Sequence, residues 1–303
     1  MNKSKNKFSI QSLLLALLVM ALWGSLFPFV KIGYAAFDIY SGNIPDIIMF
    51  AGVRFTVCGI ILTAFSLVRK EPLASPKIKN IGLIVLTGVF SIILHYFFTY
   101  VGLSTTDSSK TALIKQLGPL LYACFAFLFI KDEKFNKLKI AGAIIGFSGI
   151  IAINYNPAGI TFSSGDILII CASVCSVVSS ILAKITVRDN SPVWTVAISQ
   201  LFGGIALVAA ALVMGADLLS FDLKALAVFA YICSASMGAY VLYNYLLRTV
   251  SVSKMFIIKF TEPLFACIFG ALLLGENIFK WQYLIAFVLI SVGIMLGSKT
   301  DDE

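Results

Sequence analysis

The stretch YFFTYVGLSTTDSSKTALIKQLGPL, residues 96–120, returns as YVLYNYLLRTVSVSKMFIIKFTEPL at 240–264, a constant offset of 144 residues. Nine of the 25 positions are identical without a gap: Tyr96/Tyr240, Leu103/Leu247, Thr105/Thr249, Ser109/Ser253, Lys110/Lys254, Ile114/Ile258, Lys115/Lys259, Pro119/Pro263 and Leu120/Leu264. Chance would give roughly two or three in so apolar a composition, so the chain reads as two related halves. Each copy also carries a lysine and then a proline through an otherwise apolar segment.

Composition agrees with a membrane home for that repeat. Hydrophobic residues make up 59% of the 303 and charged residues 13%, about half the charged share of a soluble protein. Such a chain has too little polar surface to cover itself in water. The formal charge of +8 sits in short loops between apolar runs rather than in a basic arm, which argues against nucleic-acid binding. Cys58, Cys124, Cys171, Cys175, Cys233 and Cys267 all fall inside apolar runs, where thiols act as small soft hydrophobes. Cys171 and Cys175 are one turn apart but have no histidine or second cysteine pair beside them, so neither a metal site nor a disulfide is expected. No phosphate-binding loop or nucleophile–histidine pair is present, so the chain does not read as an enzyme and no cofactor is expected.

Runs of about 20 apolar residues cross roughly 30 Å of hydrocarbon. They predict ten spans, near 11–32, 46–68, 80–102, 108–130, 137–154, 166–187, 192–214, 224–247, 252–274 and 280–298. Turn chemistry separates them at Glu71-Pro72 with Ser75-Pro76, Asn154 to Gly159, Asn190-Ser191-Pro192 and Gly215 to Asp217. Backbone groups in lipid must be satisfied within each segment, so the spans are helices. Lys3, Lys5 and Lys7 before Leu13 to Val19 resemble the start of a signal peptide, but the apolar run continues past Trp23 to Val30 and reads as an uncleaved first span. The predicted fold is an all-α integral membrane protein, with five spans in 11–154, a linker at 155–165 and five spans in 166–298. Residues 1–10 and 299–303 are short tails.

Charge sets the orientation. With the N-terminus cytoplasmic, sixteen of the 23 Lys and Arg fall on the inner side. Lys31, Lys110, Lys224 and Lys280 fall outside, and Arg54, Lys115 and Lys259 lie within spans. The positive-inside rule then places both termini in the cytoplasm of a cell with this protein in its inner membrane. Five is odd, so the second half enters from the opposite side and the repeats are inverted. Pro45/Pro192, Phe55/Phe202 and Gly149/Gly293 add matches outside the core repeat.

The two intramembrane lysines carry the sharpest functional signal. Each lies about four residues, or roughly 6 Å, from the centre of its span, and inversion makes Lys115 and Lys259 straddle the midplane. A lysine that deep costs at least about 2.5–3.5 kcal/mol against lipid, so it faces a cavity, an ion-pair partner or a path to the interface. A cavity site for an anionic group is the functional reading; for Lys259, Glu262 three residues on is an alternative partner. Pro119 and Pro263, one turn beyond, break or kink their helices, and matched interruptions in inverted halves point to a midplane site. Glu262 is a candidate proton-coupling carboxylate, the only one read as buried so deeply, and His95 a candidate relay. Arg54 and the aromatics Trp23, Tyr96, Tyr100, Tyr122, Tyr240 and Tyr243 are candidate substrate-binding residues. Gly142-x3-Gly146 and Gly293-x3-Gly297 allow close helix contact, as a packed scaffold or a homodimer contact.

Ala21-Leu22-Trp23-Gly24-Ser25 ending near Lys31, Arg54 in the second span, and Glu262-Pro263-Leu264-Phe265-Ala266 running to Gly275-Glu276 resemble the EamA-type transporters of the drug/metabolite transporter superfamily. The Pro119 segment ending in Asp132-Glu133 is the matching part of the first half. The resemblance implies an inverted 5+5 carrier with a central cavity. Many members export amino acids or small metabolites, and relatives carry sugar phosphates or nucleotide sugars. The expectation is therefore a secondary transporter of small polar or anionic metabolites, with exchange of phosphorylated metabolites, a channel or a non-transporting receptor as alternatives. Its expected partners are a small-molecule substrate and membrane lipid.

Overall fold

A computed structural model describes residues 10–40, 42–71, 78–125, 137–153, 155–156, 159–160, 162–250, 252–259 and 261–298. The terminal lysines, Lys131, Lys134, Asp132-Glu133 and the tails lie outside these described residues.

Helices account for nearly all of it: α1 (Ile10–Ala36), α2 (Ile44–Val68), α3 (Ile78–Gly88), α4 (His95–Thr105), α5 (Ser108–Ile114), α6 (Leu117–Phe125), α7 (Lys137–Ile153), α8 (Ser164–Asp189), α9 (Pro192–Val213), α10 (Leu223–Thr249), α11 (Val252–Lys259), α12 (Glu262–Leu274) and α13 (Trp281–Ser298). A two-residue antiparallel hairpin, Tyr155–Asn156 against Gly159–Ile160, occupies the predicted linker. Six stretches are long and apolar enough to cross a membrane unaided: Ile10–Ala36, Ile44–Val68, Ile81–Thr105, Ser164–Asp189, Pro192–Val213 and Leu223–Thr249. The other predicted spans are built from shorter helices. Large apolar side chains such as Val68, Val213, Leu223 and Val288 face outward, a surface suited to acyl chains rather than water.

Local chemistry explains several ends. Pro45 and Pro192 both sit in the first turn of their helices, α2 and α9, where a missing N–H removes nothing. Asn43 caps α2, and Ser163 with Asp166 forms a reciprocal capping box on α8. The third span holds a feature that periodicity did not reveal: a π-helical segment, Val89–Leu94, joins α3 to α4. Such turns widen a helix and often mark functional sites.

Two helix pairs make the most extensive contacts, α2 with α9 and α7 with α13, while α1 packs on α10 and α12 and α4 packs on α8. The glycines predicted for close contact work inside the chain. A Cβ on Gly149 would meet Ala286 O at 2.9 Å, and one on Gly293 would strike Gly142 O. These approaches close the seam between α7 and α13 within one chain. Gly24 is a second enforced approach: a Cβ there would lie 2.7 Å from Phe265 Cβ and 2.9 Å from Glu262 O. Only glycine lets α1 lie backbone-to-backbone on the start of α12.

One end of the bundle is tied by charge. Gly275 ends α12 in the left-handed region (φ +64) with its N–H on Ala271 O at 3.2 Å, an αL closure, and Glu276 N–H reaches Gly270 O at 3.2 Å. Glu276 then accepts from Ser108 N–H at 2.9 Å, Ser109 N–H at 3.0 Å and Ser109 Oγ at 2.6 Å, capping α5, with Lys31 Nζ at 4.0 Å. Lys110, expected as a loop charge, pairs instead with Asp166 at 2.9 Å. Asp166 is fully buried, so Glu262 is not alone in deep burial as a carboxylate.

Burial alone would raise the Glu276 carboxyl, but the Ser109 hydroxyl, the two backbone N–H groups and Lys31 outweigh it and hold it below the usual carboxylate range. A depressed carboxylate stabilises fully above its unfolded value of about 4.3 and loses that contribution as pH falls through the lower folded value. Thermal melts in detergent between pH 7 and pH 3 should therefore show an acid limb in the parent. Glu276→Gln should be less stable at pH 7 by about 1.5–3 kcal/mol and should show a shallower acid limb. Equal pH profiles would remove this role.

Candidate functional site

Pro119 and Pro263 have no N–H to offer the carbonyl four residues earlier, which belongs to Lys115 and Lys259 respectively. The helices stop at those lysines. In the first half, Lys115 and Gln116 form a turn between α5 and α6, with Gly118 N–H on Lys115 O at 3.0 Å. In the second, α11 ends at Lys259 and α12 begins at Glu262 with Pro263 in its first turn. Both interruptions put a lysine side chain at the edge of one central cavity.

That cavity holds about 90 Å³ of space for the centres of water-sized molecules. Trp23, Arg54, His95, Tyr96, Tyr100, Lys115, Tyr240, Tyr243, Lys259 and Glu262 all line it. Tyr122 does not. It is buried in an apolar cluster with Met20, Val187 and Met255, because α6 turns that face away after the break.

Lys115 Nζ lies 3.3 Å from His95 Nε2 and 5.1 Å from the Phe27 ring centroid. His95 Nδ1 is 2.9 Å from Ala172 O, which only accepts, so Nδ1 carries the proton and Nε2 is left as an acceptor toward the ammonium. His95 is thereby neutral and oriented. Lys259 Nζ donates to Ser176 Oγ at 3.1 Å and lies 5.4 Å from the Trp23 ring. The Gly24 approach is what brings Trp23 beside Lys259 and Glu262.

Glu262 is 2% exposed, and its Oε2 has no protein partner. Arg54 is fully buried; its Nε donates to Ser236 Oγ at 3.0 Å, and its Nη2 turns to the same oxygen. Phe55 and Tyr96 rings flank the guanidinium at 4.7 and 5.5 Å. Tyr240 Oη donates to Tyr96 Oη at 3.0 Å, a bond between two residues one repeat offset apart.

The two helix breaks, each at a lysine, meet at one cavity, and the comparisons name transporters. The chain matches the EamA-like transporter family over residues 10–155 and again over 163–298. It belongs to that family. The uncharacterized inner membrane transporter YedA of Escherichia coli K12 is 30% identical over 288 residues, covering 91% of this chain and 87% of that protein. An uncharacterized transporter of Archaeoglobus fulgidus is 27% identical over 274 residues, 87% of this chain and 89% of its own. A crystal structure with 18% identity has the same fold, with a TM-score of 0.64 and coverage of 94% of this chain and 96% of that one. The protein is a multi-pass membrane protein.

This EamA-like chain also places residues on the cavity that the sequence reading missed. Ser176, Ser179 and Ser180 on α8, Thr87 and Ser91 around the π segment, and Thr195, Ser199 and Gln200 on α9 form a hydroxyl and amide wall. The spacing of Ser176, Ser179 and Ser180 at i, i+3 and i+4 was the available signal, since it lines one helix face.

The tyrosine pair yields a direct test. Tyr96→Phe and Tyr240→Phe should each lower stability by about 1 kcal/mol, because each strands the other hydroxyl in a buried site. The double variant should cost clearly less than the two singles together. Strict additivity in thermal or denaturant unfolding would show that the bond is not formed.

Proposed function

We propose that the protein is a secondary active carrier that moves small polar or anionic metabolites, amino acids or related compounds, by alternating access, and that it works in export. The carrying observation is the cavity at the two helix breaks, lined by Arg54, Lys115, Lys259 and Glu262. Three cations against one carboxylate, with His95 neutral, favour a substrate bearing negative charge. The orphan Glu262 Oε2 suits an ammonium group or a coupling proton.

The ten-span, inverted 5+5 arrangement belongs to this proposal, with halves at 11–154 and 166–298 and both termini cytoplasmic. Packing supports it. In span order the contacts of the first with the eighth (α1 on α10) and of the third with the sixth (α4 on α8) are mates under exchange of the halves. The second pairs with the seventh and the fifth with the tenth (α2 on α9, α7 on α13), each pair its own mate. Gly149 on Ala286 and Gly293 on Gly142 are mates at the offset of 144. Gly59 on Leu201 and Gly204 on Thr56 are mates at an offset of 145.

Uptake into proteoliposomes of labelled amino acids and phosphorylated metabolites tests the reading, with Lys115→Ala and Lys259→Ala beside the parent. Saturable uptake is expected, reduced about tenfold or more in either variant while the protein stays folded. Flux that rises linearly without saturation would replace the carrier with a channel, and no flux of any solute would leave a receptor or scaffold.

A further inference from the structure

Buried polar groups normally have partners, and those that lack them call for an explanation. On this lining they include Trp23 Nε1, both Gln200 amide atoms, Asn244 Oδ1, Glu262 Oε2 and a set that contains the cation Arg54. Its Nη1 has no hydrogen-bond partner, and neither does the Thr99 Oγ1 nor the Tyr100 hydroxyl. All three residues are at least 97% buried and line the cavity. Thr99 and Tyr100 are consecutive on α4, and the Tyr100 ring centroid is 5.7 Å from the Arg54 guanidinium carbon. Among the described residues no carboxylate lies within ion-pair distance of Arg54.

The two lysines differ. Lys115 is already engaged with His95, and Lys259 with Ser176. A guanidinium taken out of water with one edge unpaired is strongly disfavoured unless something anionic completes it. Its fork is held rigid by Ser236 and by the Phe55 and Tyr96 rings, so Nη1 presents its hydrogens in a fixed direction. One cation and two unpartnered hydroxyls on the same lining match a planar group with one negative charge and two acceptor oxygens.

We propose that Arg54, Thr99 and Tyr100 form the cradle that binds the substrate's anionic group, and that this group is a carboxylate. The inference rests on the carrier reading above and narrows it. Lys115 and Lys259 then set the positive potential of the cavity and hold His95 and Ser176 in place, while the cradle makes the contacts that choose the ligand. Thr99 and Tyr100 become specificity residues, because a solute without the carboxylate leaves their hydroxyls stranded.

Titration of the full chain in detergent by intrinsic tryptophan fluorescence, with Trp23 on the lining, tests this. The probes are leucine and phenylalanine, their primary amides, which keep the ammonium and the apolar body but lack the carboxylate, and inorganic phosphate as competitor. The acids should bind saturably, the amides at least about 30-fold more weakly, and phosphate should compete poorly. Thr99→Val and Tyr100→Phe should each weaken the acids about 5- to 10-fold. Neither should lower the melting temperature of the unliganded protein, since each removes a hydroxyl that bonds to nothing.

Acids and amides binding alike would overturn the cradle and leave the carrier reading intact. So would parent-like affinity in both hydroxyl variants. Phosphate displacing the acids as well as they displace one another would overturn the carboxylate assignment. Failure of every acid and amide to bind the parent would overturn the amino-acid carrier reading, and the cradle with it.

Discussion

The structure depends on what a proline does inside a helix surrounded by lipid. Pro119 and Pro263 each remove the N–H that would bond the carbonyl four residues earlier. In hydrocarbon such a carbonyl must be satisfied by protein or by a polar cavity; Lys115 O takes Gly118 N–H at 3.0 Å instead, which closes a turn rather than continuing the helix. In both halves the carbonyl belongs to a lysine, so the helix break and the long cationic side chain arise at one place. That side chain requires a polar interior. The cavity is therefore the condition under which helices so interrupted persist in a membrane, and the surrounding helices are arranged to provide it. Gly24 brings α1 onto the second break, and α8 lays its serines against Lys259.

The charges in that interior are arranged so that few are wasted on one another. The Ala172 carbonyl fixes the tautomer of His95 and turns its lone pair to Lys115. A cation therefore faces a neutral acceptor instead of a second cation. Arg54 rests on a single serine oxygen and three aromatic rings, contacts that orient a guanidinium without neutralising it. At the bundle end the logic is reversed. Glu276 is saturated by backbone, hydroxyl and Lys31, and Lys110 and Asp166 cancel. Paired charge holds helices together there, while an unpaired cation edge leaves room for a ligand.

How much of this was legible in the sequence follows from whether the signal was local. The lysines, the prolines and Glu262 stood out because a charge or an imino acid in an apolar run is anomalous by itself, and the offset of 144 doubled the anomaly. The same offset joins Tyr96 to Tyr240, and the structure bonds them directly. The π segment at Val89–Leu94 has no such marker: Val-Phe-Ser-Ile-Ile-Leu is ordinary helix-forming sequence, and the extra residue per turn is set by packing. Tyr122 was misplaced for a related reason. It was placed on the cavity for its segment alone, and beyond the Lys115–Gln116 turn it packs in the apolar cluster with Met20, Val187 and Met255. The hydroxyls of Thr99 and Tyr100 are common in apolar helices and acquire meaning only once they are found unpartnered on the cavity that Arg54 also lines.

The Tyr96–Tyr240 bond also bears on how two such halves could move. When a pair of repeats exchanges conformations, a contact between unlike positions is traded for its mate elsewhere. A contact between equivalent positions maps onto itself. Under the inverted-repeat reading the tyrosine bond and the α2–α9 and α7–α13 seams are of the second kind, and nothing in an exchange requires them to break. Glu276 on Ser108 and Ser109, and Lys110 on Asp166, are of the first kind. The same physics therefore divides the molecule: the self-mated glycine seams are close-packed and resist continuous deformation, while the unlike contacts are discrete hydrogen bonds and ion pairs that can open one at a time. A carrier built this way would pivot on its symmetric contacts and release its asymmetric ones, with the breaks at Lys115 and Lys259 lying between the two.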